Sequence, residues 1–430
     1  MTMIAALWAC CLSSCVYDNV PDNPADYNPQ GVFVVLNVNP LSLNGPEIGN
    51  SHEKIMSLRV IMLSDGALEV NQKVSMTAVE ASQLSRSFTF NTLPGTKEFF
   101  LIANEEKITN FSFEPETGIE VDGSTNFATL LAGFRPEPQG SNTVGTRLKA
   151  ILENVCFEPD FTADLNGDYY LPYTSHYYGY NIGEDDQTYW HDPIKMYLVP
   201  VATKFIFRFI NNRPNDVEIS NIEIKNFNNI DFLTARLNQK EEHKYFGSEK
   251  LYWVDWLAKV SEESHKNVEY TDNENFNLEY GWINGYSMPS ISSTAPKSFL
   301  EGGQIRTVKA AITEPDESEL GYKVIEPGIL TMGPFYMPES WNEFKYYDNK
   351  LEEEVTIQQY TLTLGLHDIT TDPSKDPPFN NVSIGNLKSL FRNTCVIITV
   401  RMDAGKLEIY AEMADWNKRY AQGYVTTGKP

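Results

Sequence analysis

The sequence predicts an all-β protein of two tandem antiparallel β-sandwich domains with short helical insertions, and three observations carry that expectation. Short runs of alternating or β-branched residues recur along the chain with turn chemistry between them. Stretches with a 3.6-residue apolar period are few. Near residues 190–197 a Tyr/Gly/Asp-rich loop gives way to IKMYLVPVATKFIFRFI, a fresh set of alternating positions. The division therefore falls between a domain over 31–193 and one over 194–430.

The first strand is expected over Gly31–Asn39, where Val32, Val34, Leu36 and Val38 alternate with Phe33, Val35 and Asn37 before Pro40 closes the run. The second runs from Lys54 to Leu63 and is ended by Ser64-Asp65-Gly66. Further strand patterns are SFTFNTL, KEFFLIAN, RLKAILENVCF, IKMYLVP, TKFIFRFI, VEISNIEIKNF, QYTLTLGL, TCVIITVRM and KLEIYAEM. Asp403-Ala404-Gly405 between the last two reads as a hairpin turn. The helix candidates are TAVEASQLSR and YWVDWLAKVSEES.

The opening, MTMIAALWACCLSSCVYDN, places three cysteines within its first fifteen residues, in or just after an apolar run. That run is shorter than the roughly twenty residues a bilayer span needs and suits the h-region of an export signal. Leu12-Ser13-Ser14-Cys15 resembles a bacterial lipobox, with residues 1–14 the signal peptide, cleavage between Ser14 and Cys15, and lipid on Cys15. The other reading is an ordinary secretory signal, because Lys54 is the first basic residue; a start upstream of Met1 would supply the missing basic region. Residues 15–30, rich in Pro, Asp and Asn, read as a tether.

With 58 acidic against 34 basic residues the formal charge is −24, which argues against nucleic acid and against electrostatic binding to anionic lipid. The chain offers no His-x-x-x-His pair, Cys/His cluster, glycine-rich phosphate loop or Gly-x-Ser-x-Gly elbow. No catalytic residue, metal or cofactor is expected, and the protein is not read as an enzyme. Asp164, Asn166 and Asp168 alternate as calcium ligands do, but Tyr169 and Ser175 stand where a helix-loop-helix calcium loop needs Gly and Glu; a polar loop is the plainer reading. Cys156 and Cys395 lie in apolar stretches as buried small side chains, with a disulfide between them as the alternative. A segment over 240–300 is rich in aromatic residues, including Trp253, Trp256 and Trp282. Its rings suit either a surface for a host protein or glycan, or core and interface anchoring.

Several segments, in this order, resemble the fimbrillins, lipoprotein subunits of the type V pili of Bacteroidia. They are FNTLPGTKEFFLIANEE with its closing Ala103-Asn104, LPYTS over Leu171–Ser175, VPVATKFIFRF, FYMPES, YTLTL, LFRNTCVIITV with Arg392-Asn393, and IYAEMADW. Cys395-Val396 stands where the family commonly has a Tyr after the Arg-Asn pair, and beside the family 240–300 looks like an insertion. The resemblance implies transthyretin-like sandwiches and assembly with other fimbrial subunits by strand addition. In stalk subunits of that family an Arg-specific protease removes the first strand, and a neighbour's C-terminal strand fills the groove. Here Pro40–Glu53 contains no Arg or Lys, and the first arginine, Arg59, lies inside the second strand. The first strand, with Val32, Val34, Leu36 and Val38, is therefore expected to stay in place. It would join Cys15 and its outer-membrane lipid to the sandwich, as in a cell-surface anchor subunit at the base of a fimbrium. A tip or adhesin subunit and a surface glycan-binding lipoprotein are the alternatives.

Overall fold

The computed structural model describes residues 32–40, 52–113, 126–138, 140–184, 193–225, 227–234, 236–237, 286–287, 296–300, 302–317, 320–341, 345–348, 353–356, 361–369, 379–383, 389–390, 392–404 and 406–415. Strands dominate them, and the fold is all-β.

The first half contains β1 (Val32–Pro40), β2 (Lys54–Ser64), β3 (Ala67–Glu80), β4 (Arg86–Thr92), β5 (Gly95–Ala103) and β6 (Phe111–Phe113). Helices α1 (Phe127–Ala132) and α2 (Thr143–Asn154) follow, then β7 (Val155–Phe157), β8 (Tyr173–Ile182) and β9 (Ile194–Pro200). Seven of these strands form one sheet in the order β3-β2-β5-β8-β9-β1-β4. At its corner β8 and β9 share the pairs Tyr173–Pro200 and Thr174–Val199. There β4-β1-β9 turns over β3-β2-β5-β8, so that Val34, Leu36 and Val38 pack in one core with Leu58, Val60, Phe99 and Leu101. This is a sandwich made from a single bent sheet.

β2 reads as an almost unbroken apolar run because it is covered on both faces. Its Leu58, Val60 and Met62 point into the sandwich, whereas Ile61 and Leu63 join Phe100 and Ile102 of β5 beneath α1 and α2. The segment RLKAILENVCF, expected as a strand, is mostly α2, and only Val155–Phe157 is extended. Leu148, Ile151 and Leu152 are its buried apolar side chains, and their i, i+3, i+4 spacing is that of one helix face. The helix expected over TAVEASQLSR is instead the end of β3 and a short 3-10 turn, Ala81–Gln83. Pairing of β3 with β2 from Ala67 to Glu80 overrides the local helix preference of its Ala and Glu residues.

The helix α2 sits on the β2–β3 turn, where Asp65 and Gly66 both have positive φ as a tight hairpin requires. A Cβ on Gly145 would lie 2.1 Å from the Gly66 carbonyl oxygen, so only glycine permits this approach. Glu137 fixes the helix start by accepting bonds from the amides of Val144 and Gly145, each at 2.8 Å, from the Ser141 hydroxyl at 2.8 Å, and from the Leu68 amide at 3.3 Å. Burial pushes the Glu137 carboxyl up, but these donors outweigh it and bring it down to about 2. The unfolded chain keeps the ordinary value of 4.5, so this contact stabilises fully above that pH and is lost as pH falls from there towards 2. Glu137→Gln is expected to flatten the acid limb of the stability-pH curve across that window in urea melts. An unchanged limb would show that the cap contributes nothing.

The second half contains β10 (Thr203–Asn211), β11 (Val217–Lys225), β12 (Asp231–Phe232), β13 (Gly328–Met337), β14 (Thr361–Asp368), β15 (Phe379–Ser383), β16 (Thr394–Asp403) and β17 (Lys406–Asp415). One sheet runs β13-β10-β16-β17. Another runs from Lys297–Ser298 through β11 and β14 to β15. Phe205, Phe207 and Phe209 of β10 and Val396, Ile398 and Val400 of β16 meet Ile219, Ile222, Leu362 and Leu364 between the two sheets.

Two details differ from the sequence expectation. The sheets are not antiparallel throughout, since β1 runs parallel to β9 and β10 parallel to β16. The first sheet also extends past 193/194, through β9 to Pro200. The apolar continuity of IKMYLVPVATKFIFRFI hid the sheet change after β9. One small sheet ties the halves together, with β12 pairing with β7.

Candidate functional site

Two features stand out: the groove that holds β1, and the polar joint between the halves. In β1 the side chains of Val34, Leu36 and Val38 are fully buried and Val32 nearly so, while Phe33, Val35, Asn37 and Asn39 on the other row are half-buried. The strand is interior. It pairs antiparallel with β4 from Val32–Thr92 to Val38–Arg86, and parallel with β9 from Leu36–Ile194 to Pro40–Leu198. Burying four such side chains is worth on the order of 6–12 kcal/mol as an upper estimate. Removing β1 would uncover Phe88, Phe90, Met196 and Leu198, and leave the backbone groups of two strands unpaired. Arg59 is not open to attack: it is 3% exposed, and its guanidinium donates to Glu105 at 2.6 and 2.8 Å.

The joint is built from residues far apart in sequence. Arg392, buried after β15, donates through its side chain to Glu339 and through its backbone amide to the same carboxylate at 3.0 Å. Its other nitrogens reach Asp231 at 3.3 Å and the carbonyls of Phe232 at 2.8 Å and Leu233 at 3.1 Å. Thr174 of β8 donates its hydroxyl to the same Leu233 carbonyl at 2.7 Å, which brings the first half into the network. Burial, and then the Glu339 charge, push the Asp231 carboxyl well above its ordinary value against the pull of Arg392. Nearby, Glu53 accepts from Lys204 at 2.6 Å and from the Tyr336 hydroxyl at 2.7 Å, again across the halves. The Asn393 amide donates to the Ala202 carbonyl at 3.0 Å and the Val201 amide to that of Pro172 at 2.8 Å.

The short segments that carry the resemblance supply most of this joint: LPYTS gives Thr174, FYMPES gives Tyr336 and Glu339, and the Arg-Asn pair gives Arg392 and Asn393. Ala103-Asn104 has a related reason. Asn104 takes φ +55°, and its side chain accepts from the Met56 amide and donates to the carbonyls of Lys54 and Leu171. Sequence reading assigned none of these residues a role, because buried polar partners drawn from distant segments leave no spacing pattern.

A third cluster joins α2 to the sheet. Glu98 of β5 meets His176 of β8 at 2.6 Å and Lys149 of α2 at 2.8 Å, with Glu153 one helical turn on, 3.6 Å from Lys149. Burial raises the Glu98 carboxyl, but His176 and Lys149 prevail and hold it below its ordinary value.

The Asp164 carboxylate accepts within its own loop from the amides of Asn166 at 2.8 Å and Asp168 at 3.0 Å. Cys156 and Cys395 are both buried, as expected of small core side chains, and no disulfide joins them. Ser14, Cys15, Trp253, Trp256 and Trp282 lie outside the described residues, as does almost all of 240–300. No described helix is long and apolar enough to cross a membrane.

No protein-family model and no curated protein matches the chain. Among solved structures it is similar to the tip fimbrial protein Mfa3 from Porphyromonas gingivalis, with C-terminal truncation, at 14% identity and TM-score 0.43, over 89% of this chain and 100% of that one. A fimbrial assembly protein from Parabacteroides distasonis aligns at 9% identity and TM-score 0.41, over 90% and 98%. A fimbrilin (fimA) from Porphyromonas gingivalis aligns at 10% identity and TM-score 0.39, over 91% and 98%. At these values no residue's role carries across. What the chain resembles among solved structures is a set of all-β fimbrial proteins of Bacteroidia.

Proposed function

We propose that the protein is a non-enzymatic, lipid-anchored structural subunit of a type V fimbria. It sits at the base of the fibre, joins other subunits by strand addition and supports cell adhesion. The observation that carries this reading is the place of β1, an interior strand with its inward row buried, downstream of the Cys15 lipobox. A strand so placed is a covalent link between a lipidated terminus and the sandwich core. The burial of Arg59 under Glu105 supports it, since the first arginine is withheld from a protease while the fold is intact. The joint supports it too: a basal subunit must transmit pulling force between its halves, and buried charge networks resist relative rotation better than a wet interface.

Mass spectrometry of the protein recovered from assembled fimbriae tests the reading. An acylated N-terminal peptide beginning at Cys15 is expected, with palmitate labelling of the wild type lost in Cys15→Ala. A mature N-terminus at or beyond Pro40 would make the protein a stalk or tip subunit, and equal labelling of the mutant would remove the lipid anchor.

A further inference from the structure

We propose that Glu98, Glu153 and His176 form a binding site for a divalent transition metal, best suited to zinc, at which the Lys149 ammonium stands in for the ion. The three side chains come from β5, α2 and β8, and one ligand atom from each lies within 4.8 Å of the others. A tetrahedral zinc with bonds of about 2.0–2.1 Å needs its ligand atoms about 3.3 Å apart, so closing the set takes side-chain shifts of only about an ångström.

The donor set also selects the ion. One imidazole with two carboxylates suits zinc, whereas magnesium and calcium favour all-oxygen shells. The imidazole is already held in place, stacked on Phe100 with ring centroids 4.1 Å apart and planes 11° apart, with Nε2 turned to Glu98. Lys149 bridges the two carboxylates at 2.8 and 3.6 Å, which is the work a bound cation would do. Its side chain is 35% exposed and Glu153 37%, so the ammonium can swing into water and an ion can enter from the same side. A fourth position would be filled by water. The ion would clamp α2 onto the sheet above the core formed by Leu148, Ile151 and Leu152.

Calorimetric titration of the full chain with zinc chloride, alongside thermal melts with and without the metal, tests the site. The wild type should bind one zinc with a raised melting temperature that chelator reverses. Lys149→Met, which removes the competing cation, should tighten binding by a factor of about ten or more. His176→Ala and Glu98→Gln should each weaken it at least as much, with magnesium inert throughout. Circular dichroism and the metal-free melt identify any variant that has failed to fold, and Glu153→Gln then serves as the exposed substitute. Zinc binding that persists unchanged in His176→Ala, or is absent from both wild type and Lys149→Met, overturns the proposal.

Discussion

Arg392→Ala is expected to destabilise the protein by about 3–5 kcal/mol, because it leaves two carboxylates buried without their counter-charge. Glu339 would keep its bond from the residue 392 backbone amide but lose the one from the guanidinium, and the carbonyls of Phe232 and Leu233 would lose donors in a region closed to water. The midpoint of urea unfolding at neutral pH measures the effect, and a shift worth less than about 1 kcal/mol would mean that the network is idle. The two acids should differ. Asp231 is the member whose ionisation burial and Glu339 oppose, so Asp231→Asn should cost less than Glu339→Gln. The sign of the pH effect follows from the same group. Its folded value is raised, so the unfolded chain releases the proton first and stability falls as pH climbs above the ordinary Asp value; Asp231→Asn should remove that decline.

Leu36→Ala should cost about 2–5 kcal/mol, the range for emptying a fully buried leucine site, since Leu36 is 0% exposed in the middle of β1. Val35→Thr on the outer row of the same strand should cost under about 1 kcal/mol, because that row is only half-buried. The contrast is informative about assembly as well as stability. In purified chain both effects are read from urea melts. In protein taken from fimbriae the Leu36→Ala penalty should persist if β1 is still in its groove. Its disappearance there would mean that another chain's strand has replaced β1.

The strand framework was legible because alternation survives wherever one face of a strand is buried. Val32, Val34, Leu36 and Val38 declare their row directly, and the hairpin residues Asp65-Gly66 and Asp403-Ala404-Gly405 mark where strands end. α2 resembles a strand in sequence because RLKAILENVCF begins mid-helix at Arg147 and ends on the extended Val155-Cys156-Phe157. Leu148, Ile151 and Leu152 carried the helical period all along. The sheet change after Pro200 was hidden because both adjoining strands are buried and apolar, so no polar residue punctuates it. The joint was legible only as motifs without a reason. Arg392, Glu339, Asp231 and Thr174 are brought together by tertiary folding alone, and a buried arginine looks in sequence like any exposed one.

The parallel pairing of β1 with β9 bears on how the molecule comes into being. Leu36 finds Ile194 more than 150 positions downstream, and Thr203 finds Thr394 about as far again along the chain. In each half an early strand is thus clasped by one made much later, which gives a high contact order and slow closure. A nascent chain halted before residue 194 would carry β1 flanked on one side only, its other edge open to the wrong partner. If the chain is exported as its opening suggests, this delay is useful: a segment that cannot finish folding until its far end arrives stays threadable during translocation. It would then lock only after the whole first half has crossed.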